Sequence, residues 1–189
     1  MTTQTSSPEP WLRGPVPEVS PLLQPVAHAL LQAVEDVRRV VAPLNHDALW
    51  ARPASAASVG FHVRHAAGAL DRLFTYARGE TLSSLQRAAL AAETAADEQE
   101  KMSALDLIAA FEAQVERAVA QLRETPADRL TERREVGRAR LPSTVLGLLF
   151  HGAEHTQRHV GQIITTAKIV GATHPISPNT TPSSTKRAT

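Results

Sequence analysis

The sequence predicts an all-α fold, a four-helix bundle, on three observations. Apolar residues make up 42% of the chain and aromatics only 4%, so Ala, Leu and Val must fill the core, a composition that suits close-packed helices better than stacked sheets. Four stretches repeat apolar residues at spacings of three or four. Capping residues, Pro and Gly punctuate those stretches at helical lengths. With 189 residues, the chain can build one domain with a full core and is short for two. The expected organisation is an irregular segment over 1–17, the bundle over 18–171 and a disordered tail over 172–189.

The first 17 residues are rich in Ser, Thr and Pro, which favours irregular backbone, although Trp11 and Leu12 are apolar enough to dock on the domain surface. Ser20 can cap a first helix with Pro21 at its first position, and Leu22, Val26, Leu30, Val34, Val37 and Val41 recur at helical spacing before Pro43 stops it. His28, between those apolar positions, reads as a surface or interfacial residue. Asn45 to Trp50 reads as a short turn or a single helical turn, ended by Pro53, with His46 solvated and Trp50 closing one end of the core.

A second helix is predicted from Ser58 to Arg78, ended by Gly79, with Val63, Ala66, Leu70, Leu73, Phe74 and Ala77 on its apolar arc. His62 and His65 lie to one side of that arc, His62 nearer its centre. A long connection follows. It carries a weak helical pattern through Leu82, Leu85 and Ala89, and its acidic stretch from Glu93 to Lys101 reads as solvated surface. Ser103 and Asp106 form a capping box for a third helix through Leu107, Ile108, Phe111, Val115, Val119 and Leu122. The arginine-rich run from Asp128 to Leu141 fits an irregular loop or a small hairpin. Pro142 and Ser143 are expected to open the fourth helix, which should reach Val170 and stop at Gly171; His174 falls in the tail beyond it.

Charge and composition exclude several functions. Basic and acidic residues nearly cancel to a formal +1, which gives no electrostatic footprint for nucleic acid. The chain has no cysteine, which removes disulfides, a thiolate nucleophile and any sulfur ligand, so a bound metal would be held by nitrogen and oxygen. The opening residues lack the pattern of a signal peptide and no apolar run is long enough to cross a bilayer, so no membrane partner and a cytoplasmic location are expected.

The feature that asks for chemistry is on the fourth helix. His151, His155 and His159 follow one another at four-residue spacing, which places their rings on one oblique ladder along the edge of the apolar stripe formed by Val145, Leu149, Val160, Ile163 and Ala167. Histidines at i and i+4 can both reach one divalent ion, and three in register favour a metal over an incidental histidine-rich helix. Gln162 lies on the same strip. Glu154 and Arg158 point away from it. The second helix also carries histidine along the border of its apolar stripe, and two such borders facing each other would supply a third nitrogen.

The segments Ser58-Val-Gly-Phe-His62-Val-Arg-His65 and His155-Thr-Gln-Arg-His159-Val-Gly-Gln162 closely resemble the DinB-like and YfiT-like family of metal-dependent bundle proteins. Trp11-Leu-Arg-Gly and the first helix resemble one branch of it. The resemblance implies a four-helix bundle with a long connection between its second and third helices, and a divalent metal held by His65, His155 and His159 with open positions for water. It selects His65 over His62. His62, His151 and Gln162 then become candidates for the pocket around the ion, and whether His62 or His151 also coordinates is left open.

Three imidazoles with an open position are the pattern of a catalytic site. Nitrogen ligands suit zinc, nickel, iron and copper, of which zinc or nickel is expected. Family members with an assigned activity imply a thiol-dependent S-transferase or a related hydrolase or isomerase. The expected partners are therefore a small-molecule substrate and a low-molecular-weight thiol, with homodimerisation also implied by the family. The alternative is a bundle whose ion has only a structural or stress-response role. A substrate-sized cavity beside the open coordination position would favour the enzyme, and a fourth protein ligand closing the sphere would favour the structural role.

Overall fold

The computed structural model describes residues 7–95 and 102–173. The tail and its His174, most of the acidic stretch after Glu93, and the first six residues lie outside the described residues. The four predicted helices are α1 (Gln24–Val41), α3 (Val59–Ala77), α5 (Ala104–Glu124) and α6 (Val145–Thr173). Between them come α2 (His46–Trp50), α4 (Ser84–Ala95) and a two-stranded antiparallel hairpin of β1 (Arg133–Val136) and β2 (Leu141–Thr144).

Both α3 and α1 pack against α5 and α6. This puts α1 diagonally opposite α3, with the chain crossing between them by way of α2. The stripes read from the sequence meet along this axis: Leu30 and Val37 of α1, Leu70 and Phe74 of α3, Phe111 and Leu122 of α5, and Leu149 and Ile163 of α6 are all fully or almost fully buried. Gln157 Nε2 donates to the Ala29 carbonyl at 2.6 Å and Gln121 Nε2 to the Phe74 carbonyl at 3.0 Å, fixing α6 on α1 and α5 on α3.

The starts of α3 and α5 follow their predicted caps, whereas Ser20 does not cap α1: it makes no side-chain cap bond, and a 3-10 turn at Pro21–Leu23 precedes the helix. Ser58 Oγ accepts from the Phe61 amide at 3.1 Å, and Ser103 and Asp106 form the predicted capping box. The ring of Trp50 closes one end of the core by lying over Gly60, where a Cβ would stand 2.7 Å from it. Ahead of α1, a short 3-10 turn at Pro10–Leu12 interrupts the irregular segment. That segment is held to α1 by the Arg13–Glu35 ion pair and by His28 Nε2 against the Gly14 carbonyl at 3.0 Å. Trp11 itself stays 60% exposed.

Three further expectations are corrected. Helix α6 begins at Val145 and not at Pro142, because Pro142 and Ser143 belong to β2. Pro tolerates an edge strand, and Thr144 acts as the cap, its Oγ1 accepting from the Gly147 amide at 3.0 Å. The same helix runs through Gly171 to Thr173, since Gly171 does not adopt the left-handed conformation of a helix-ending glycine. The third correction concerns the long connection. Its helix α4 extends past Glu93, which is only 6% exposed and not solvated.

Candidate metal centre

The packing of α3 on α6 brings histidine borders face to face. One ring nitrogen each of His65, His155 and His159 lies within 4.8 Å of the other two, and this is the one such group of potential metal ligands among the described residues. His65 Nε2 and His155 Nε2 are 3.3 Å apart. Two nitrogens bound tetrahedrally at about 2.0–2.1 Å from a zinc ion stand roughly 3.4 Å from each other, so this pair is already at ligand spacing. The donor set is nitrogen only.

Electrostatics keep two of the rings, His155 and His159, in the neutral form that can ligate a metal. Burial holds the pKa of His159 down to about 4, helped by repulsion from His65, His155 and His62. Burial also lowers that of His155, with His65 and His151 adding to the effect. Both are neutral at pH 7 and offer lone pairs.

His65 is placed from two sides. Phe61, one turn earlier, stacks on its ring with centroids 5.5 Å apart and an interplanar angle of 12°. Its Nδ1 lies 2.7 Å from Glu93 Oε2, reaching across from α4. Arg72 Nη1 and Nη2 donate to the same carboxylate at 2.6 and 3.3 Å. Burial opposes ionisation of Glu93, yet the bonds from His65 and Arg72 outweigh it and leave its pKa below the usual carboxylate value. The carboxylate passes over α3 at Gly68, where a Cβ would stand 2.6 Å from Glu93 Oε1 and 2.8 Å from Arg72 Nη1.

The other sequence candidates take separate places. His62 is buried, with Nδ1 3.1 Å from His159 Nδ1, so it touches a ring of the cluster, but its nitrogens are not part of the three-nitrogen group. His151 is half exposed, 3.3 Å from Glu154, with its ring centroid 5.7 Å from that of His155. Gln162 is exposed on α6 beyond His159. Glu154 pairs with Arg158 and both face outward, as their spacing implied.

Glu93 and Arg72 were missed by sequence reasoning. A signal for Glu93 was present: Ser83 and Gln86 form a capping box that starts α4, the Ser83 amide donating to Gln86 Oε1 at 2.9 Å and the Gln86 amide to Ser83 Oγ at 3.1 Å. Gln86 Nε2 also donates to Asp71 and Thr75 of α3 at 2.7 and 2.8 Å. Glu93 follows Gln86 by two helical turns, so the face that holds α4 to α3 also carries the carboxylate.

A cleft of about 300 Å³ opens beside the cluster. His65, His155 and His151 form its polar side, and Ala69, Leu73, Tyr76, Leu82 and Leu90 give it an apolar wall, with Arg72 between them. Among the described residues no helix is long and apolar enough to cross a membrane.

A family model described as the DinB superfamily matches residues 29–163, a span that includes all three histidines of the cluster as well as His62, His151 and Gln162. No curated protein matches the chain. The match covers most of the chain and the whole candidate centre, and the helical bundle agrees with it; the chain belongs to the DinB superfamily.

Proposed function

We propose that this protein is a divalent-metal-dependent enzyme that joins a low-molecular-weight thiol to a small electrophilic substrate, or carries out related hydrolytic chemistry, with His65, His155 and His159 as the metal ligands. The observation that carries this reading is the cleft. It borders two of the three histidines and is large enough for a small molecule, and among the described residues no carboxylate joins the three-nitrogen group to close the coordination sphere. Zinc or nickel suits the neutral imidazole set.

The bound ion would act as a Lewis acid that lowers the pKa of a coordinated thiol or water. The chain's own residues do the rest. Leu73, Leu82 and Leu90 exclude water and receive the apolar part of a substrate, and the half-exposed His151 at the edge of the cleft is placed to take up the proton that the thiol or water releases. In the transfer, the sulfur lone pair forms the new carbon–sulfur bond as the leaving group departs with its electron pair.

The test is metal content per chain in untagged protein, with His65→Ala and His155→Ala purified alongside. The reading expects about one ion in the parent and strong loss in both variants, followed by metal-dependent consumption of free thiol when small thiols are screened with alkyl electrophiles. A parent that binds neither zinc nor nickel overturns it.

A further inference from the structure

We propose that Glu93 is a positioning residue of the metal centre: held by Arg72, it accepts a hydrogen bond from the Nδ1–H of His65 and commits that ring to presenting Nε2 to the ion. The inference rests on the metal reading above and goes beyond it by assigning work to α4, a helix outside the four-helix core.

An ionised carboxylate can only accept, so the 2.7 Å contact requires a proton on His65 Nδ1. In the neutral ring the other nitrogen then carries the lone pair. That nitrogen, Nε2, is the one lying 3.3 Å from His155 Nε2. The carboxylate stands on the opposite edge of the ring from the cluster, where it can orient the ligand but cannot join it. A metal-bound histidine that donates its second N–H to a carboxylate has a fixed tautomer, a fixed ring plane and a more basic donor nitrogen.

Three features distinguish this arrangement from a simple surface latch. Glu93 is 6% exposed and Arg72 9%, and a buried ion pair contributes little stability that apolar packing could not supply. The two Arg72 contacts hold both carboxylate oxygens and so fix the plane from which Oε2 meets His65. Gly68 leaves room for the carboxylate beside α3, since a Cβ there would overlap Glu93 Oε1.

The experiment uses the full chain, stripped with a chelator and titrated with Zn²⁺ or Co²⁺ against a chromophoric competitor, far below its melting temperature. Glu93→Gln should bind zinc about 10–100-fold more weakly than the parent and alter the visible spectrum of the Co²⁺ form. Gly68→Ala, which displaces the carboxylate without changing any charge, should weaken binding in the same sense. Unchanged affinity and an unchanged cobalt spectrum in a folded Glu93→Gln or Gly68→Ala protein overturn the proposal, even if melting temperature falls, because a latch would lower stability alone.

A readout on the unmodified protein removes any dependence on the variants folding. Imidazole ¹⁵N shifts of the metal-free parent should report the Nδ1–H tautomer for His65, and an Nε2–H tautomer overturns the assignment. A parent that binds no metal while His65 is the Nδ1–H tautomer defeats the metal reading; a parent that binds metal while His65 is the Nε2–H tautomer defeats only the role of Glu93.

Discussion

The ring of Phe74 on α3 lies where a side chain on Gly152 of α6 would begin: a Cβ there would stand 2.9 Å from Phe74 Cε2 and 3.3 Å from Leu70 Cδ1. The packing of the two histidine-bearing helices at this point therefore depends on an absent methyl group, one residue after His151. Gly152→Ala gains about 1 kcal/mol of helix propensity and meets an overpacking cost of about 1–3 kcal/mol. The expected net result is a lower melting temperature, by a few degrees, with weaker metal binding as α6 is pushed from α3. Thermal unfolding and zinc titration of the variant check both parts. A more stable variant with unchanged affinity would mean that the interface yields.

The metal-free protein should lose stability on mild acidification. In the unfolded chain His159 titrates near the ordinary histidine value of about 6.5, and in the folded state it is held down to about 4, with His155 lowered in the same direction. Between those values the unfolded state binds more protons, so the contribution is complete above about pH 6.5 and is lost progressively as pH falls towards 4. On the order of 2 kcal/mol is at stake for His159, or ~4–8 °C in melting temperature. Melting curves of chelator-treated protein between pH 7.5 and 4.5 measure this, and His159→Gln should flatten the dependence.

Ser58 is fully buried and caps the helix that carries His62 and His65 through its bond to the Phe61 amide. Ser58→Ala should cost about 1 kcal/mol, seen as a shift of the urea midpoint with an unchanged slope. A cost near zero would mean that the first turn of α3 finds another acceptor.

His151 lies beside the cluster without entering the three-nitrogen group. His151→Ala should keep the parent's metal content while turnover, once a thiol and electrophile are identified, falls on the order of 10²-fold. Loss of the ion in this variant would move His151 into the ligand set instead.

The hairpin between α5 and α6 illustrates where sequence reading stops. The arginine-rich run around Gly137 was compatible with loop or hairpin. It is the pairing of Arg133 with Thr144 and of Val136 with Leu141 that makes it a hairpin and moves the start of α6 to Val145. That pairing is a contact between segments, and neither segment's own propensity specifies it.

The sequence by itself determined the four long helices, their apolar faces, two of their caps and the ladder of His151, His155 and His159, because helical period and capping chemistry act within a few residues of one another. It also supplied the resemblance that selected His65, where helix geometry alone leaned towards His62. Only the tertiary structure decided how α3 is rotated against α6, which puts a His65 nitrogen in the three-nitrogen group and His62 against His159 outside it. It alone brought Glu93, 28 residues away along the chain, onto His65. Side-chain placement across two helices depends on their mutual rotation and separation, quantities set by packing at positions such as Gly68 and Gly152, and no local pattern in either helix encodes them.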